Sequence, residues 1–206
     1  MMEERQTVLA RLRSFINNYY HLSDKAFQQL ADLARIQELV KNEIVLPIGQ
    51  VSKHVYYIHK GALIAFFTDE SGNTYNKNIF LENRLAGSTV SALLKEPSGF
   101  TLQAIEDTTL LVFDYERYKE LIYANDELKN FYIAYLEKNW VIEKEQREIS
   151  IVMETAAVRY QKLLNEYPGI DTRIPLQHIA SNLGITPTQL SRIRKALKKK
   201  YPNQHM

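Results

Sequence analysis

The chain has 206 residues, with 26 Lys or Arg against 24 Asp or Glu, 45% apolar residues and no cysteine. That length suffices for one large or two small domains with real cores, and the missing cysteine excludes disulfides, thiolate nucleophiles and cysteine-ligated zinc or iron–sulfur clusters. No apolar run is long enough to cross a bilayer, and the N-terminal MMEERQTVLARLRSF reads as a charged amphipathic helix rather than a signal peptide, so a cytoplasmic location is expected. None of His21, His54, His59, His178 and His205 forms a close-spaced ligand pair with a carboxylate on a predicted helix, so neither a metal nor a cofactor is expected.

Residues 7–18 place Val8, Leu9, Leu12, Phe15 and Ile16 on one helical face, and a second helix starts at Ser23 with Phe27, Leu30, Leu33 and Ala34 inward. From Glu43 the period becomes that of strands: IVL at 44–46, VYYI at 55–58 and ALIAFF at 62–67, broken by Pro47, Gly49 and Gly61. DESG at 69–72 is the turn of a hairpin into TYNKNIF (74–80), and FTLQAI (100–105) is followed by TLLVF (109–113). Short strands at this spacing predict a small roll of jelly-roll type, with TVSALL (89–94) a short helix or lid inserted in it.

After Asp114, a good N-cap, the pattern is helical for some forty residues. Leu128, Tyr135, Ile142 and Ile149 recur every seven positions, and Tyr132, Asn139, Gln146 and Met153 form a companion row. Such a repeat predicts the seam of a parallel dimer, in which the amides of Asn139 and Gln146 would fix register. The competing reading is a helix that packs only on its own roll. A break near Glu154 and Thr155 starts another helix, which YPG at 167–169 ends. The expected organisation is α+β: helices and roll over 1–114, a dimerisation helix over 115–153, and a third part over 154–206.

That third part carries the clearest local pattern. In PLQHIASNLGITPTQLSRIRKALKKK (175–200), apolar residues keep helical spacing on both sides of one interruption at Gly184. Thr186 is a good N-cap and Pro187 suits the first helical position. Two short helices about a tight turn are the grammar of a helix-turn-helix, whose second helix enters the DNA major groove. Residues 172–206 hold seven Lys or Arg and no Asp or Glu, leaving the remainder with 19 basic against 24 acidic residues. A basic tip on an acidic body suits a polyanion bound through one end.

The order of helices, roll, long helix, hinge and helix-turn-helix resembles the catabolite-activator/FNR (Crp/Fnr) family of bacterial transcription regulators over essentially the whole chain. YYIHKGAL (56–63) and LQAIED (102–107) carry the resemblance weakly, and YQKLLNEYP (160–168) with RIPLQHIASNLGITPTQLSRIRK (173–195) carries it specifically. It implies a homodimer on double-stranded DNA at a pseudo-palindromic operator, with a small-molecule effector of unknown identity and RNA polymerase as further partners. By position, Thr188, Ser191 and Arg192 would face bases, while Thr186, Gln189, Arg194, Lys195, Lys198 and Lys199 would meet phosphates. Pro187 stands where the family often has a polar reader, and few residues follow Lys200 to form the family's wing.

The effector pocket departs from the family pattern. Cyclic-nucleotide binders carry a glycine–glutamate pair for the ribose and an arginine for the cyclic phosphate. Here Gly87 is followed by Ser88, and the segment 97–104, with Ser98 and Thr101, has no arginine. A buried phosphate without a cation is costly to desolvate, so cAMP is not expected to bind. The alternative to a DNA regulator is a cyclic-nucleotide or other small-molecule sensory protein whose C-terminal block only packs. No nucleophile–base spacing, phosphate loop or carboxylate pair suggests an enzyme.

Overall fold

Strand β8 (Thr108–Asp114) shows why LLVF is apolar at four successive residues. Side chains along a strand alternate between faces, and this strand separates two cores. Leu110 and Val112 enter one, with Tyr56, Ile58, Leu63 and Leu102; Leu111 and Phe113 enter the other, with Tyr57 and the helices. This computed structural model describes residues 2–72 and 74–200, and the side chains of 5–72 and 74–199. His205, the Lys200 side chain and the residues that would carry a wing lie outside the described residues.

The first core fills a roll made of two four-stranded antiparallel sheets. One has the order β1 (Arg35–Leu39), β8, β3 (His54–Lys60), β6 (Leu85–Ala86); the other has β2 (Ile44–Leu46), β7 (Thr101–Ala104), β4 (Leu63–Thr68), β5 (Thr74–Phe80). Pairing of Tyr56 with Val112 and Ile58 with Leu110 places both pairs on the inner face. The β4–β5 hairpin turns as expected: the Gly72 N–H donates to the Asp69 carbonyl at 3.0 Å. The inserted helix α3 (Thr89–Leu94) is present. Strands β1 and β6 were not expected, because one is a half-exposed edge and the other has two residues.

The second core lies under α1 (Met2–Asn17), α2 (Asp24–Leu33), α4 (Tyr115–Ala124) and α5 (Asp126–Leu136), which cover the outer face of the first sheet. Leu12, Phe15, Leu30, Ile122, Leu128 and Phe131 are buried there; full burial of each such side chain contributes roughly 1.5–3 kcal/mol. Ser23 caps α2 and Asp114 caps α4, as their positions predicted. The Glu127 carboxylate accepts from the Ser23 N–H at 2.6 Å and its hydroxyl at 2.9 Å, tying α5 to the start of α2.

The helical stretch after Asp114 is not one helix. Asn125 has extended φ/ψ and its side chain accepts from the Leu128 N–H at 3.2 Å, ending α4 and capping α5. A π-helical turn, Glu137–Ile142, then precedes α6 (Glu143–Met153). Against the expected parts 1–114, 115–153 and 154–206, the chain divides into a first unit through Val141 and a second from Ile142. The second unit continues through α7 (Ala156–Glu166), α8 (Ile170–Arg173), α9 (Leu176–Asn182) and α10 (Pro187–Lys200). Thr155 caps α7, marking the expected break.

Candidate nucleic-acid interface and roll interior

Helices α9 and α10 meet through a turn whose chemistry is explicit. The Ile185 N–H donates to the Ala180 carbonyl and the Gly184 N–H to that of Ser181, both at 3.0 Å, and Gly184 has φ +70°. That is the Schellman end of a helix, which favours glycine at the left-handed position. Ile179, Ala180, Leu183, Leu190 and Leu197 are buried around the turn.

The opposite face of α10 is free. Thr188, Ser191, Arg192, Lys195 and Lys199 are all exposed, at steps of three, four and seven that keep them together along the helix, and Lys198 is exposed beside them. Three of the expected phosphate contacts have other partners. Thr186 and Gln189 form a reciprocal capping box, Gln189 N–H to Thr186 Oγ1 at 3.1 Å and Thr186 N–H to Gln189 Oε1 at 2.9 Å. The T-x-x-Q spacing was the signal for it. Arg194, expected on a phosphate, is partly buried and pairs with Asp171 at 3.0 Å.

Sequence reasoning missed Asp171, Tyr160 and Arg159. Asp171 Oδ2 also accepts from the Tyr160 hydroxyl at 2.9 Å, and burial, followed by that bond, pushes the hydroxyl's pKa up to about 12. Arg159 donates to the carbonyls of Glu154 at 2.5 Å and Leu183 at 2.9 Å, joining the end of α6 to the end of α9. Isolated polar residues without a spacing motif gave no sequence signal for these contacts.

The expected seam separates into two parts. Leu128 and Tyr135 are buried in the first unit's own core. Asn139 is satisfied at home: Arg84 donates to its Oδ1, and its amide donates to the Tyr135 carbonyl at 2.8 Å and the Tyr19 hydroxyl at 3.2 Å. The π turn inserts a residue into the repeat, so a seven-residue spacing does not hold one face across 137–142. Within the second unit, Ile142, Gln146 and Ile149 are exposed, as are Val152 and Met153.

In the roll, Ser88 and Ser98 come together. Their hydroxyls are 3.0 Å apart, both buried, and Ser98 also donates to the Phe100 carbonyl at 2.8 Å. Thr101 is buried and accepts from the Ile48 N–H at 3.1 Å, while Gly87 leads into Ser88 in extended backbone. A cation missed by the sequence, Lys77 on β5, lies 4.3 Å from the centre of the Phe100 ring. Among the described residues no three His, Asp or Glu side chains converge as a metal site, and no helix is long and apolar enough to cross a membrane.

Residues 36–125 match the family model of the cyclic nucleotide-binding domain. No curated protein matches the sequence. Among solved structures, a putative cAMP-binding regulatory protein from Silicibacter pomeroyi is similar at 17% identity and a TM-score of 0.68, over 95% of this chain and 88% of that one. The c-di-GMP responsive global regulator CLP of Xanthomonas campestris shares 12% identity at 0.65, over 86% and 93%. FixK2 from Bradyrhizobium japonicum shares 17% at 0.65, over 81% and 85%. Residues 36–125 thus match the cyclic nucleotide-binding domain, and the chain shares the overall fold of these solved regulators.

Proposed function

We propose that the chain is a homodimeric, sequence-specific DNA-binding transcription regulator whose roll is an effector domain that does not take cAMP. The observation that carries the reading is the exposed face of α10, where Thr188, Ser191 and Arg192 sit beside Lys195, Lys198 and Lys199 on a stretch without a single acidic residue. Arg192 suits a bidentate contact to guanine, and the lysines add sequence-independent affinity for phosphates. A second copy, joined through the exposed Ile142, Ile149, Val152 and Met153, would set two α10 helices about one DNA turn apart on a pseudo-palindrome. RNA polymerase and an effector of unknown chemistry complete the partners, in the cytoplasm.

The cAMP named for the Silicibacter protein is not carried to this chain. Ser88 replaces the expected glutamate, 97–104 lacks the arginine, and the Ser88 and Ser98 hydroxyls are already hydrogen-bonded within the protein. The test is selection from a randomised duplex pool, followed by gel shift at fixed salt. The selected duplex should be preferred by roughly 10³-fold or more over scrambled DNA. Equal binding to every sequence would sink the regulator reading.

A further inference from the structure

The ion pair behind α10 has no place among the surface contacts assigned above. The Asp171 side chain on α8 is 1% exposed, and its Oδ2 accepts from Arg194 at 3.0 Å and from Tyr160, itself fully buried on α7, at 2.9 Å. Its Oδ1 has no hydrogen-bond partner among the described residues. Removing a carboxylate and a guanidinium from water costs several kcal/mol per ion before their attraction offsets it, so such a pair contributes direction more than stability.

The direction matters because of where it acts. Leu190 and Leu197 hold α10 by apolar contact, which is non-directional and permits a small slide or roll. The charge-assisted bond from Arg194 Nη2 opposes both, since it is made to a carboxylate that α8 and Tyr160 hold in place. Arg192 is two residues away on the exposed face. Base contacts depend on heavy-atom distances near 3 Å, so a shift of about 1 Å in α10 is enough to lose them.

Resting on the reading of α10 as a DNA-reading helix, we propose that Asp171, Tyr160 and Arg194 form a positioning device that fixes α10 within the second unit. Arg194 then governs base discrimination without touching DNA. Asp171 does the same from a buried site that no phosphate reaches.

The test uses the full chain, a duplex selected by the wild type and a scrambled duplex, with isotherms over a salt series below each variant's melting temperature. Arg194→Met and Asp171→Asn should each weaken binding to the selected duplex by roughly tenfold, the scale of coupling between contacting residues. Affinity for the scrambled duplex and the salt slope should not change. The double variant Asp171→Leu with Arg194→Met should regain part of the discrimination, because an apolar pair can replace a buried ion pair. Arg194→Lys keeps the charge and the fold but has no donor at the position of Nη2, so it should lose discrimination too; this variant decides the matter if Arg194→Met does not fold. The proposal is overturned if Arg194→Met lowers both affinities alike and reduces the salt slope by about one, as a lost phosphate contact would. It is equally overturned if Arg194→Lys behaves as the wild type. A wild type that selects no sequence refutes the DNA reading itself, and does so before any variant is made.

Discussion

Arg192 and Arg194 lie on one helix, two residues apart, and have opposite surroundings: Arg192 is exposed, and Arg194 is held by a buried carboxylate. Arg192→Ala should cost about 1–3 kcal/mol of discrimination at one base pair and leave the oligomeric state unchanged, checked by competition gel shift and light scattering. Gly61 is decisive in a different way. It has φ +94°, and an added Cβ would stand 2.7 Å from the Asp107 carbonyl oxygen and 2.3 Å from Thr108 Oγ1. Gly61→Ala should therefore destabilise the roll by about 2–4 kcal/mol, measured by urea unfolding, with no change in the second unit's affinity for DNA.

At the scale of elements, the stretch 126–153 combines two different surfaces. Its first part is inward-facing, with Leu128, Phe131 and Tyr135 in the core that α1 and α2 complete. Beyond the π turn, Ile149, Val152 and Met153 are 54%, 79% and 77% exposed, the apolar face on which the proposed second copy would pack. In the proposed dimer a charge there would meet its own copy across a two-fold interface. Ile149→Glu should shift the proposed dimer to monomer in light scattering while the roll's unfolding free energy changes by no more than about 0.5 kcal/mol, the range of a surface substitution. A variant that remains a dimer at low concentration would place the interface elsewhere.

For the whole molecule, charge and protonation act on the two units differently. Burial lowers the pKa of His54 and His59 in the first unit and of His178 in the second below the usual 6.5. With the folded value depressed, the unfolded chain takes up protons first, so stability is complete above pH 6.5 and falls as pH drops through that value towards the folded pKa. Urea midpoints should decrease from about pH 7.5 to 5.5, and His178→Gln should flatten the trend for the second unit alone. The lowered carboxylates of Asp126, Glu127 and Glu154 act below that window. Calorimetry with cAMP and with cGMP should give no heat; a saturable isotherm would overturn the exclusion of cyclic nucleotides and make Lys77, beside the Phe100 ring, the first cation to substitute.

The sequence by itself determined what short-range rules control. Ser23, Asp114 and Thr155 marked helix starts, Gly184 marked the turn, Asp69 and Gly72 closed a hairpin, and the concentration of basic residues after Thr172 singled out one end. Each of these depends on neighbours within a few positions. Asn125 and the π turn were not legible, because a good helical pattern continues through both; the Asn125 side chain caps the next helix, and Asn139 within the π turn donates to the Tyr135 carbonyl. The tertiary structure alone decided which face of 126–153 turns inward and which of the basic residues on α10 are free. Seven-residue spacing fixes a face but not what covers it, and the partner of Arg194 is 23 residues away on another helix, a choice made by packing that no local pattern encodes.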